Sequence, residues 1–246
     1  MENFKAIENV EEMLYQRIKE QFDEWANGPT TSWEYRAFFN NELYLAEDNN
    51  CPSFGVRDFI MTAGATKGCL IYDDLPYVFK FNLHDTVYNI DYCNEEVMNY
   101  KNIAKDYPEL ADMFVKTEFL GNFYGHDIYY SEKVEVDSGK VFSTGNNYRN
   151  SLCSCTEPKD MPLERGLDTR EVAAFYAVID SYGLETAEKF YDICDSYEIN
   201  DLGTHNFGYR EDGKICVFDY SGYHGITSYD DCDWLDEDYY HCSDIY

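Results

Sequence analysis

The chain has 246 residues, of which 19 are Lys or Arg and 48 are Asp or Glu, so its formal charge is −29. That length, with 44% hydrophobic and 17% aromatic residues, suffices for a buried core, while so acidic a surface repels phosphate backbones and excludes ordinary nucleic-acid binding. No apolar run approaches the ~20 residues of a membrane helix. The start, Met1 to Lys5, lacks a signal-peptide core, so a cytoplasmic protein without membrane contact is expected.

In residues 4–26, Phe4, Ile7, Val10, Leu14, Ile18, Phe22 and Trp25 recur in steps of three and four. This predicts an amphipathic helix, stopped by Asn27-Gly28-Pro29. A shorter helix is expected over 31–47, through Phe38, Phe39, Leu43 and Tyr44. Both read as a packed helical extension rather than a membrane or partner helix. The runs Val56–Met61, Cys69–Tyr72 and Tyr77–Phe81 are β-rich and separated by turn residues, which predicts a three-stranded antiparallel meander. A helix follows at about 92–106, then strands near 115–120 and 126–134. Residues 137–168 are rich in Gly, Ser, Asn and Pro and read as a loop or linker. A helical window covers 169–197, with Gly183 as a break. A hairpin occupies about 207–218, and 219–246 is acidic and aromatic without a clear period. Nine scattered cysteines read as reduced thiols packed as small hydrophobes. The one close pair, Cys153-x-Cys155, lacks further ligands at zinc spacing.

The hairpin places the first chemically suggestive residues. Asp212-Gly213, read as a two-residue turn, pairs 211 with 214, 209 with 216 and 207 with 218. One step outward, Asn206 then faces Asp219, with Cβ atoms about 5 Å apart. An amide oxygen beside a carboxylate suits a hard cation such as Mg²⁺ holding phosphates. Asp201 lies five residues before Asn206, and a tight loop would bring its carboxylate toward the same spot.

This arrangement resembles the protein-kinase-like superfamily, whose catalytic loop has the form D-x-x-x-x-N, then a hairpin, then D-F-G. Here the chain reads Asp201-(four residues)-Asn206, a hairpin, then Asp219-Tyr220-Ser221-Gly222. The wording looks most like divergent kinase-like proteins of phages and bacteria. The resemblance implies an α+β, bilobal kinase-like fold: a helical extension at 1–55, an antiparallel N-lobe at 56–136, and a reduced, mainly helical C-lobe with linker and acidic tail at 137–246. It implies ATP and Mg²⁺ as cofactors, with Asp201 as catalytic base and Asn206 and Asp219 as metal ligands. Gly64-Ala-Thr-Lys67-Gly68 falls where the family has its phosphate-covering loop, so Gly64, Lys67 and Gly68 are implied to bind nucleotide. Lys80 falls on the third strand, where the family lysine contacts the phosphates. The family helix that follows carries a glutamate that orients this lysine, and Glu95 and Glu96 are both available. Glu96 shares a helix face with Tyr100 and Ile103, so it is the residue chosen.

The sequence also departs from the family pattern. Ile199-Asn200 replaces the usual His-Arg before the Asp. Gly203 stands where kinases carry Lys or His, a group that neutralises charge on the transferring phosphoryl. His205 is near but at a different offset, and Lys67 is an alternative substitute. Few residues follow Gly222, and no A-P-E sequence occurs. These departures imply an alternative: a weak or inactive pseudokinase acting as a binding or inhibitor protein. The acidic run at 230–238 reads as a solvated tail, or as a nucleic-acid mimic that occupies a basic host protein. The phosphotransferase reading implies a nucleotide partner and a phosphoryl acceptor the residues do not name.

Overall fold

The spacing of Leu14, Ile18, Phe22 and Trp25 becomes the buried face of helix α1 (Val10–Asn27). The computed structural model describes residues 10–40, 59–63, 66–83, 90–152 and 166–221. It divides into two compact units, one of Met1–Val97 with Thr117–Lys133, the other of Met98–Lys116 with Val134–Tyr246. The expectations for Phe4 and Ile7, for 41–47, for Cys153-x-Cys155 and for the acidic run at 230–238 lie outside the described residues.

In the first unit, helix α2 (Trp33–Phe39) is capped by Ser32, whose side chain accepts the Tyr35 N–H. It ends at Phe39, with Asn40 as its C-cap. Five strands form an antiparallel sheet in the order β1-β2-β3-β5-β4. They are β1 (Phe59–Ala63), β2 (Lys67–Tyr72), β3 (Tyr77–Asn82), β4 (Thr117–Phe123) and β5 (His126–Glu132). The expected β1-β2-β3 meander is present, with Ile60 opposite Ile71 and Ile71 opposite Val78.

Strand alternation sends Met61, Leu70, Tyr72, Phe79, Phe81 and Ile128 into one core with α1 and α2. Aromatic rings dominate it: Phe22 lies 4.3 Å from Phe38 and 5.2 Å from Trp25. Gly68 belongs to this face for steric reasons. A Cβ there would fall 2.4 Å from the Phe81 ring, which occupies the space.

Helix α3 (Tyr92–Asp106) starts in the first unit and ends in the second. Asp91 Oδ1 accepts the Asn94 N–H at 2.8 Å, and Oδ2 accepts the Tyr129 hydroxyl at 2.6 Å, which fixes the helix start to β5.

The second unit corrects the first part of the linker expected at 137–168; residues 153–165 lie outside the described residues. Ser138–Ser151 is helix α4, begun by Asp137, whose side chain accepts the Lys140 N–H. Glycine and serine disfavour helix, but tertiary packing overrides them. Gly145 sits where an added Cβ would meet Ala173 O at 1.9 Å, so its bareness lets α4 press against α5 (Thr169–Tyr182). Asp168 and Glu171 form a reciprocal capping box at the start of α5. Gly183, at φ +82°, separates α5 from α6 (Leu184–Ser196), the break expected from the sequence. Phe114, Phe175, Tyr176, Phe190, Phe207 and Tyr220 are fully buried in this unit's core.

The hairpin β6 (Phe207–Tyr209) and β7 (Ile215–Val217) is present, but its register is one residue away from the expected one. Phe207 pairs with Val217 and Tyr209 with Ile215. The turn has three residues, not two. Gly213 N–H donates to Arg210 O at 2.8 Å, Arg210 N–H donates to Lys214 O at 2.9 Å, and Gly213 takes φ +82°. Asp-Gly suits either turn, and this longer form places the glycine in the left-handed region alone. Among the described residues, no helix is long and apolar enough to cross a membrane. The architecture is α+β, with one five-stranded antiparallel sheet and six α-helices among the described residues.

Candidate functional site

Two clusters of polar side chains stand out, one in each unit. In the first, the alternation that buries Phe79 and Phe81 turns Lys80 to the opposite sheet face. Lys80 Nζ donates to Glu96 Oε2 at 2.7 Å, and Lys67 Nζ donates to Oε1 of the same carboxylate at 2.5 Å. Thr117 Oγ1 donates to Oε2 at 2.9 Å. All four side chains are buried, and Glu96 is 0% exposed. Burial alone would push the Glu96 carboxyl up. The two ammonium groups outweigh that and hold it down at about 2. Glu96, not its neighbour Glu95, is the α3 glutamate that Lys80 reaches, and Ile103 two turns on is fully buried.

Lys67 and Gly68, expected in an open glycine loop, are instead the first residues of β2, opposite Asn82 and Phe81. Strand pairing and the Glu96 carboxylate draw Lys67 inward. Gly64 lies outside the described residues. Residues two apart on a strand share a face, so Lys67, Ile71, Val78 and Lys80 project from the same side of the sheet. Ile60, Ile71 and Val78 form an apolar row across three strands on that face, and Ile60 is 57% exposed.

In the second unit, the chain leaves α6 through Glu198 at φ +57° and is anchored by buried Ile199 and Leu202. A short 3₁₀ turn, Thr204–Asn206, then folds it back. This brings Asp201, His205 and Asn206 together. Asn206 is buried and its Nδ2 donates to the Asp201 carbonyl at 2.9 Å. His205 Nε2 lies 3.4 Å from Asp201 Oδ1. Burial raises the Asp201 carboxyl, but the hydrogen bond and charge of His205, with help from Asn206 and the Gly203 N–H, leave it below the ordinary aspartate value. His205 is raised in turn, first by its bond to Asp201. Burial and Arg170 oppose that rise, and Asp219 adds to it.

Asn206 and Asp219 are not directly opposed, as the two-residue turn would have them. The observed register puts Asn206 opposite Phe218, whose N–H donates to Asn206 O at 3.0 Å. Among the described residues no group of three or more His, Cys, Asp or Glu could hold a metal. A metal held by Asn206 and Asp219 would need further ligands from outside the described residues. Asn206 is suited to that: its Nδ2 is committed to Asp201, which leaves Oδ1 to accept. One amide oxygen and one carboxylate, completed by phosphate and water oxygens, fit Mg²⁺ chemistry.

Three residues were not assigned these partners from sequence: Thr117, Lys67 as a Glu96 partner, and His205 as the Asp201 partner. The four-residue step from Asp201 to His205 was a usable signal. A threonine opening β4 and a lysine opening β2 carry no local mark of a shared carboxylate. No protein-family model matches the sequence, and no curated protein matches it.

Proposed function

We propose that the chain is a divergent kinase-like protein that binds Mg²⁺–ATP and transfers the γ-phosphoryl group to a hydroxyl acceptor. The observation that carries this reading is the buried Lys80–Glu96 pair, set on a sheet face whose neighbouring row, Ile60–Ile71–Val78, is apolar. A flat apolar row beside an oriented ammonium suits a nucleotide, which has an apolar base and an anionic tail. Glu96 orients Lys80 toward the phosphates, and Thr117 fixes the carboxylate that does so. Asn206 Oδ1 and Asp219 would hold Mg²⁺, which neutralises phosphate charge when bound. Asp201 accepts the proton of the acceptor hydroxyl as its oxygen bonds to the γ-phosphorus and the bond to the β-phosphate breaks, releasing ADP.

The test uses γ-labelled ATP. Asp201→Asn is expected to abolish labelled product while Mg²⁺–ATP still raises the melting temperature. Retained transfer in that variant removes Asp201 from the role of base. A second reading rests on Gly203 and the charge of −29. It makes the chain a pseudokinase whose acidic surface binds a basic partner. It predicts no labelled product in the wild type and a partner released by high salt.

A further inference from the structure

Gly203 and His205 form a seat inside the loop that carries Asp201. Gly203 has φ −71°, which any residue adopts, so its backbone does not demand glycine. Space does. A Cβ at 203 would stand 2.6 Å from His205 Cε1 and 2.8 Å from Nδ1. The imidazole occupies the place that a side chain at 203 would take.

The two ring nitrogens differ. Nδ1 is sealed and has no hydrogen-bond partner among the described residues, whereas Nε2 faces Asp201 Oδ1 at 3.4 Å. A histidine serving as base, with the aspartate behind it, needs its far nitrogen open to substrate. Here the far nitrogen is the buried one, so the ring is directed at Asp201 rather than at a substrate proton. The neutral ring protonated at Nε2 still donates to Oδ1, though without the charge that strengthens the bond, and it leaves the sealed Nδ1 without a proton to satisfy. Asp201 is thus held at two points by consecutive residues, its carbonyl by Asn206 Nδ2 and its Oδ1 by His205 Nε2. Its side chain remains 48% exposed.

We infer that His205, admitted by the bare Gly203, is the positioning residue of the catalytic carboxylate: it holds Oδ1 so that Oδ2 meets the acceptor hydroxyl. This rests on the phosphotransfer reading above. At 3.4 Å the contact is looser than an ordinary hydrogen bond, and one methyl group at 203 is enough to displace the ring.

The experiment measures steady-state ADP release from Mg²⁺–ATP by wild type, Gly203→Ala, His205→Ala, the double variant and His205→Gln. Mg²⁺–ATP melting shifts are recorded for each. Each alanine variant should lose roughly 10–100-fold in kcat with nucleotide KM unchanged, the scale of a misplaced catalytic group. The double variant should lose no more than the worse single one, because both changes break one contact. His205→Gln, which keeps an N–H donor, should recover part of the rate. Additive losses, or a His205→Ala variant with wild-type kcat, overturn the inference and leave the phosphotransfer reading standing. If Gly203→Ala does not fold, the two His205 variants decide. If the wild type itself shows no melting shift or releases no ADP, the phosphotransfer reading falls and this inference falls with it.

Discussion

Replacing Glu96 by alanine removes the carboxylate that Lys67 and Lys80 share in the first unit's interior. Both ammonium groups stay buried, at 6% and 5% exposure, and Thr117 loses an acceptor 2.9 Å away. Breaking a buried pair by deleting one partner costs about 3–5 kcal/mol, because a buried charge loses the carboxylate it was paired with. The lost hydroxyl bond adds about 1 kcal/mol. The sum, roughly 4–6 kcal/mol, is comparable with the whole stability of many domains. Urea denaturation followed by tryptophan fluorescence is a suitable assay, since Trp25 lies in the same unit's core. With a urea slope of about 1–3 kcal/mol per molar, the midpoint should fall by more than ~1 M, or the variant should unfold without denaturant. Lys19→Ala, which breaks the exposed pair with Asp23, is the control and should leave the midpoint in place. A Glu96→Ala midpoint equal to that of the control would refute the claim that the buried carboxylate organises this cluster.

Further expectations concern other parts of the molecule. Acid should act through Glu96, whose folded carboxyl lies at about 2 against an ordinary value of 4.5. A lowered folded value means that its stabilising contribution is complete above about 4.5 and lost as pH falls toward 2. The stability gap between wild type and Glu96→Gln should therefore close over that window in urea midpoints measured at stepped pH. Gly145→Ala should cost about 1–3 kcal/mol or more, because its Cβ meets a backbone carbonyl that cannot move alone; calorimetry would register this as a lower melting temperature. Asp168→Ala removes the capping box of α5 and should cost about 1 kcal/mol, seen as a smaller shift in the same scan.

The sequence carried the elements whose periodicity is long or whose breaks are unambiguous. Four apolar residues in helical phase mark α1, and Gly183 marks the break between α5 and α6. The three-strand meander was readable from β-rich runs separated by turns. Helix α4 was not, because Gly139, Gly145 and its serines weaken local propensity. What stabilises it is contact with α5, which a single segment does not display. The hairpin was readable as a hairpin but not in register, since Asp-Gly serves two- and three-residue turns alike. That one-residue difference moved the partner of Asn206 from Asp219 to Phe218. Within the site, Lys80 and a partner glutamate were singled out by the kinase resemblance, and helix phase chose Glu96 over Glu95. The sharing of that carboxylate by Lys67 depends on pairing between β2 and β3, which composition does not encode.

A thermal-shift titration with Mg²⁺–ATP on wild type, Lys80→Met and Asp219→Ala tests the proposed function most directly. A ligand that binds only the folded chain must raise its melting temperature. A magnesium-dependent rise is expected in the wild type, lost or sharply reduced in both variants. No rise in a folded wild type, or a rise that both variants retain in full, would contradict the proposed function.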